Sequence, residues 1–334
     1  MLRLECKTKP ALRNLASLTY QINHARNKTM RYFLENNRLK VEIDSFGAEI
    51  KSVINKNNMR EYMWYGNPKF WGRTSPVLFP FVGSLKEKKY RWKGKEYAMG
   101  QHGFARDMEF ELVSQADDEI WFQLKANEDT LKKYPFKFTL KIGYKLEAGE
   151  ETDDVKVTWK VYNPAEEVMY FSIGAHPAFL CPFHGFRKDA AGCKDGYQLY
   201  FEGVDMIHHH GNDVATGLAL REDIELPLEH GYVTITSDFF DRCTYMVEGK
   251  QTGCVGIADE EGKHVVDVCF DTPLFAIWSP EKKNAPFLCI EPWYGRCDAV
   301  DFEGDLSQRE FTNALEAGKM FEGGYVMKFH EYYW

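Results

Sequence analysis

The sequence predicts an all-β protein in which two large antiparallel sheets pack face to face. Three observations carry this. Short segments alternate apolar and polar residues with a period of two. Aromatic residues make up 15% of the chain, and flat rings suit a pleated surface. No segment shows helical periodicity long enough to cross over between parallel strands, so the strands must return by turns.

Taken in chain order, the elements follow from pattern and turn chemistry. Met30 opens RYFLENNRLKVEID, where Leu39, Val41 and Ile43 share one face and Asn36-Asn37 makes the turn. Lys93-Gly94-Lys95 marks a second turn. EIWFQLKAN and FKFTLKIGYKLE read as strands, with a short helix at Glu128 to Lys133 between them. DVKVTWKVYN aligns Val155, Val157, Trp159 and Val161, and Asn163-Pro164 ends it. VMYFSIGAHPAF, VDVCF and FLCIEP continue the series, with turns at Glu248-Gly249 and Glu261-Gly262 and a helical turn near Asp305 to Gln308. Neither an internal repeat of 20–50 residues nor a Pro-, Gly- or Ser-rich linker interrupts this pattern, so residues 30–334 are expected to form a single domain.

Residues 1–29 stand apart. They carry six basic residues (Arg3, Lys7, Lys9, Arg13, Arg26, Lys28) against Glu5, a net of +5, whereas the whole chain carries −8. Without a continuous apolar core they do not read as a signal peptide, and a weakly ordered or non-native leader is expected. The acidic balance, with no long basic block, argues against nucleic acid as a partner. No apolar run reaches the ~18–20 residues of a membrane span. Eight cysteines show no C-x-x-C pair, and several lie in apolar strand-like runs, so a disulfide framework is not expected and a cytoplasmic location is.

Polar residues interrupt the apolar pattern in four segments: WGRTSPVLFPFVG, GQHGFAR, GAHPAF and FLCIEPWYGRCD. They offer Arg73, His102, Arg106, His176 and Glu291, in segments that each contain Gly, Pro or both, and near aromatic rings such as Trp71, Phe179 and Trp293. A lone histidine at a strand end is more often a structural hydrogen-bonding residue, and a buried Glu could simply pair with Arg73. The shared context of two histidines, one glutamate and two arginines points instead to one cleft, and aromatic rings beside polar groups suit a sugar.

These motifs, in this order, resemble the galactose mutarotase (aldose 1-epimerase) superfamily, in particular its LacX-like branch, from about Met30 to the C-terminus. The resemblance implies a galactose mutarotase-like supersandwich, a large antiparallel β-sandwich. It also implies roles. Glu291 would be the base that takes the proton from the anomeric hydroxyl, and His176 the acid that protonates the ring oxygen. His102 would bind near that oxygen and Arg73 would position hydroxyls. Asp241, in SDFFDRCTYM, is the best match to a further hydroxyl-binding aspartate, with Asp271 as the fallback. Arg106 and Trp293 complete the expected substrate contacts.

Such chemistry needs both residue types. A cyclic hemiacetal opens when one proton leaves O1 and another reaches the ring oxygen, and each transfer is typically accelerated ~10²–10⁴-fold by a positioned group. Histidine, with an unperturbed pKa of ~6.5, can serve either way. The expected function is therefore aldose 1-epimerase, with a small-molecule sugar as partner and no cofactor, nucleotide or metal required. Three rivals stand beside it. A hexose-6-phosphate 1-epimerase would use Arg73 and Arg106 as a phosphate clamp. A non-catalytic carbohydrate-binding protein would keep the pocket alone. A metal enzyme would use two His and one Glu; the triplet His208-His209-His210 is read as a solvated polar loop rather than a metal site.

Overall fold

The computed structural model describes residues 29–149, 151–183 and 194–331. The leader expected over residues 1–29 therefore falls, but for Thr29, outside the described residues.

Every pair of named strands is antiparallel. The largest sheet has nine strands. Its centre is the long run Thr139–Ala148, Thr152–Tyr162, Met320–His330, His264–Phe270 and Cys254–Ala258. A six-stranded sheet contains Tyr245–Glu248, Leu274–Trp278, Phe287–Tyr294, Ile173–Ala175, Val77–Leu78 and, off the main path, Ala178–Leu180. A four-stranded sheet starts the domain with Arg31–Glu35, Leu39–Asp44, Glu49–Asn55 and Arg60–Glu61.

Alternation decides which side chains fill the space between sheets. Val155, Val157, Trp159 and Val161 leave one face of their strand, as the sequence pattern requires, and join one core with Val266, Val268, Met327 and Phe329. Leu288, Ile290, Phe275 and Ile277 enter the same core from the six-stranded sheet, and Leu39, Val41 and Ile43 from the four-stranded one. The intervening residues of Phe287–Tyr294 point the other way. Phe287 and Cys289 pack with Trp64 and Ala178, and Trp293 packs with Leu78 and Leu274. The outer face of the six-stranded sheet thus carries its own apolar clusters, and the polar motifs converge there.

Both short helices form where expected. Glu128–Lys133 is capped by Asn127, whose side chain accepts from the N–H groups of Asp129 and Thr130. The Asp305 side chain caps the 3-10 turn Leu306–Gln308. The cysteine expectation needs correction: Cys254 and Cys269 are register partners on neighbouring strands and are joined by a disulfide. Strand register made this pair, and spacing rules such as C-x-x-C do not report register. Among the described residues, no helix is long and apolar enough to cross a membrane.

Candidate active site

Glu291 owes its position to the regular part of the fold. It lies inside Phe287–Tyr294, paired with Ala276 on one side, and is 1% exposed. On its other side the neighbouring strand is broken. Ile173–Ala175 pairs with the C-terminal half of Phe287–Tyr294 (Gly174 opposite Trp293), and Ala178–Leu180 with the N-terminal half (Ala178 opposite Cys289). The two halves keep one register, so the interruption at His176-Pro177 falls opposite Glu291. Proline has no N–H to donate to a ladder, which fits a break at this point. Two links to the preceding motif hold the segment: the N–H of His176 donates to Pro76 O (3.2 Å) and that of Ala178 to Thr74 O (2.9 Å).

The two side chains meet. Nε2 of His176 lies 3.3 Å from Oε1 of Glu291, with both groups buried. Burial raises the Glu291 carboxyl well above the ordinary range, and the indole N–H of Trp293 lowers it only in part. His176 is driven the opposite way, to about 3, first by burial and then by the positive charge of Arg106. Both shifts favour the neutral arrangement, with one proton on the carboxyl and an uncharged imidazole. Oε2 of Glu291 and Nδ1 of His176 have no hydrogen-bond partner in the protein.

His102 completes the trio from another direction. Its ring stands edge-on to that of His176, with centroids 5.6 Å apart. The residue adopts a left-handed backbone (φ +64°), as does Gly103 after it (φ +71°). At Gly103 a Cβ would lie 2.3 Å from Phe79 O, so only glycine lets the loop pass. Gly83 then fixes the ring: its N–H donates to Nδ1 of His102 at 3.1 Å, while its carbonyl accepts the His102 N–H at 2.9 Å. A ring that accepts at Nδ1 carries its proton on Nε2 when neutral. Burial, helped by Arg106, His176 and Arg73, holds His102 well below the usual imidazole pKa and so neutral.

The two arginines bear electrostatically on both histidines. Arg73 pairs with Asp107 (Nη2 to Oδ1, 2.7 Å). Arg106 donates from Nη2 to Gln101 O at 2.8 Å, and its buried Nε has no hydrogen-bond partner. Burial, reinforced by Arg73, lowers the Arg106 guanidinium to about 10.

Aromatic rings close two sides of His176. Trp71 stacks flat on it (centroids 4.6 Å, planes 25° apart), and Trp278 meets it edge-on at 5.4 Å. Trp71 is itself anchored, because Trp64 Nε1 donates to its carbonyl.

Of the residues singled out in the sequence, the fold brings His102, His176, Glu291, Arg73 and Arg106 into one electrostatic neighbourhood. Trp293 stands on the Glu291 side, packed against Gly174, where a Cβ would lie 2.6 Å from the indole. Asp241 is engaged elsewhere: its carboxylate accepts the N–H of Lys282 at 2.8 Å. The fallback Asp271 is an exposed partner of Lys250. The His208–His210 triplet is not a loop. Met206–His209 is a strand, so His209 is buried against Tyr245 while His208 faces outward to Asp223.

Sequence reasoning missed three contributors. Glu49, buried, accepts the N–H groups of Thr74 and Ser75 on Oε1 at 2.8 Å each and so holds the loop after Arg73. Trp278 walls His176. Cys289 brings its sulfur within 4.8 Å of both the His176 and Glu291 ligand atoms. Only Cys289 had a readable signal, being two residues before Glu291 on the same strand face.

Chemically, a buried acid and base in contact can move two protons at neighbouring atoms of one molecule. A sequence model of the family described as aldose 1-epimerase matches residues 30–306. The chromosomally encoded protein LacX of Lactococcus lactis subsp. lactis is 28% identical over 282 residues, covering 82% of this chain and 90% of the relative. Among solved structures, a galactose mutarotase related enzyme from Lactobacillus acidophilus superposes with a TM-score of 0.81 at 34% identity, covering 90% of this chain and 98% of that one. A galactose mutarotase-like protein from Lactobacillus casei ATCC 334 gives 0.80 at 30% identity, covering 90% and 99%.

Proposed function

The chain belongs to the aldose 1-epimerase family, in its LacX-like branch, and on that premise we propose that it interconverts the α and β anomers of an aldose. The observation that carries the proposal is the buried 3.3 Å contact between His176 Nε2 and Glu291 Oε1, with the two groups displaced in opposite directions from their usual acidity.

The proton count explains how the pair works. O1 and the ring oxygen hang on the same carbon, so the groups that serve them must be neighbours. The pair holds one proton between its two members. With that proton on His176, the Glu291 carboxylate takes the O1 proton while the imidazolium gives its own to the ring oxygen. The C1–O5 bond breaks as C1=O1 forms. The pair is left as neutral imidazole and protonated carboxyl, which is the arrangement burial favours. Rotation about C1–C2 turns the other face of the aldehyde to the hydroxyl, and closure runs both transfers backward.

His102, neutral with Nε2–H outward from its Gly83 anchor, serves as a hydrogen-bond donor near the ring oxygen. Burial, helped by Arg106 and Arg73, keeps both imidazoles uncharged at rest. Arg73 and Arg106 also carry the second reading, a phosphosugar, because two guanidiniums beside the same two histidines match phosphate oxygens. Asp241 as a hydroxyl-binding residue has less support, because its carboxylate accepts the N–H of Lys282.

Anomer exchange by saturation-transfer NMR, with glucose, galactose and glucose 6-phosphate compared in wild type and Glu291→Gln, tests this. Exchange above the buffer rate that disappears in the variant is expected. Folded wild type that accelerates none of the three would overturn the epimerase reading in favour of sugar binding alone.

A further inference from the structure

On the outer face of the nine-stranded sheet, separated from the candidate active site by the core and both sheets, His264, Asp267 and His330 meet. Nδ1 of His264 is 2.7 Å from Oδ1 of Asp267, and Nε2 of His330 is 2.7 Å from Oδ2. All three are only partly buried, and their ligand atoms lie within 4.8 Å of one another. We propose that this trio is a binding site for a divalent first-row transition cation, with Zn²⁺ as the representative ion, held by two imidazoles and one carboxylate.

Three features of the backbone assemble the site. Residues three apart on a regular strand face opposite ways, so His264 and Asp267 should not meet. A β-bulge corrects this: Ile257 pairs with Val266 and Ala258 with His264, leaving Val265 as the extra residue. Across the next ladder Asp267 pairs with Lys328, which puts His330 on the same face, two residues along. Finally, Gly256 is the register partner of Asp267. A Cβ there would lie 2.2 Å from Asp267 Oδ1 and 3.2 Å from His264 Nδ1, so glycine keeps the position clear.

The chemistry of the donor set is that of a transition-metal site. Two imidazole nitrogens with one carboxylate suit zinc and its neighbours and leave at least one position open for water. Zinc holds such ligands at ~2.0–2.2 Å, which in a tetrahedral site sets them roughly 3.3–3.6 Å apart, so the two His–Asp pairs now in contact at 2.7 Å would each open by less than about 1 Å to admit the ion. An orienting partner is also present: the hydroxyl of Tyr232 is 2.9 Å from His264 Nε2. When Nδ1 binds metal, the ring proton moves to Nε2 and donates to that hydroxyl, the arrangement that commonly orients metal-bound histidines. The ion would clip the C-terminal strand Met320–His330 to His264–Phe270 and stabilise the sheet.

The test is calorimetric titration of tag-free, full-length protein with Zn²⁺, alongside thermal denaturation with and without the ion. One saturable equivalent and a zinc-dependent rise in Tm are expected in wild type. His330→Ala and Asp267→Asn should each weaken binding by at least about tenfold and remove the Tm rise, with Tyr232→Phe weakening it less. If Asp267→Asn does not fold, His330→Ala and His264→Ala decide. Co²⁺ substitution should give a spectrum without a thiolate charge-transfer band. Absence of saturable binding in wild type, or binding unaltered by the histidine variants, overturns the site. So does binding lost in His176→Asn with a thiolate band, since that places the ion beside Cys289 instead.

Discussion

Trp71 lies flat on the imidazole of His176, centroid to centroid at 4.6 Å. An indole face attracts a cation, so this stack stabilises the imidazolium that burial opposes. The same ring would therefore tune the proposed acid without transferring a proton itself. Trp71→Leu keeps an apolar cover and removes the π face. It is expected to lower the exchange rate roughly 2- to 30-fold, the span of a contact worth about 0.5–2 kcal/mol. A rate equal to wild type at saturating sugar would show that the stack only fills space.

Glu291 and His176 share one proton, so their variants should not behave independently. Glu291→Gln and His176→Asn are each expected to reduce exchange by about 10² or more, and the double variant little further, because groups acting as a unit are not additive. Anomer exchange measured on all three proteins checks this. Multiplicative losses would mean that the two groups act in separate steps.

The pH profile follows from the same sharing. Under the proposed mechanism, activity requires one proton on the pair. It is lost in acid as His176 takes a second proton, near 3 rather than near 6.5, and in base as Glu291 gives up the last one. The acidic limb of kcat/KM should therefore fall near pH 3 and not in the ordinary histidine range. Arg106→Met removes a positive charge that depresses His176 and should move the acidic limb upward. A limb at ordinary histidine acidity in wild type, unmoved by Arg106→Met, would count against the pairing.

Under the proposed function, the buried carboxyl costs stability. The folded state keeps the Glu291 carboxyl protonated to higher pH than the unfolded chain does. Its contribution is therefore largest below the unfolded pKa and declines as pH rises toward the raised folded value. Glu291→Gln keeps the shape without the titration. It is expected to raise Tm at pH 8 by at least about 2 °C, the shift that roughly 1 kcal/mol gives in a domain of this size, with a smaller gain at pH 4. A lower Tm at pH 8 would mean that the carboxylate is compensated in a way the contacts do not show.

Gly103 is the position where the loop carrying His102 tolerates least. With φ at +71° and Phe79 O 2.3 Å from a built Cβ, Gly103→Ala must displace the loop. A loss of about 2 kcal/mol or more in urea denaturation is expected, along with weaker sugar binding as His102 leaves its Gly83 anchor. Alanine at no cost would place the loop's tolerance elsewhere.

Much of this was legible in the chain itself. The period of two in RLKVEID and DVKVTWKVYN determines strands and which side chains face the core, because alternation is a local property of extended backbone. The interruptions GQHGFAR, GAHPAF and IEPWYG likewise marked His102, His176 and Glu291 as polar groups where an apolar ladder should continue. What pairs with what is not local. Glu291 faces His176 because two short strands keep one register across a proline break, and His102 takes its tautomer from the backbone of Gly83. Cys254 meets Cys269, and His264 meets Asp267, through ladder register and a bulge at Val265. A sequence specifies torsions residue by residue, whereas the reach of a charge, the burial of a carboxyl and the partner of an imidazole nitrogen depend on segments brought together only when the sheets close.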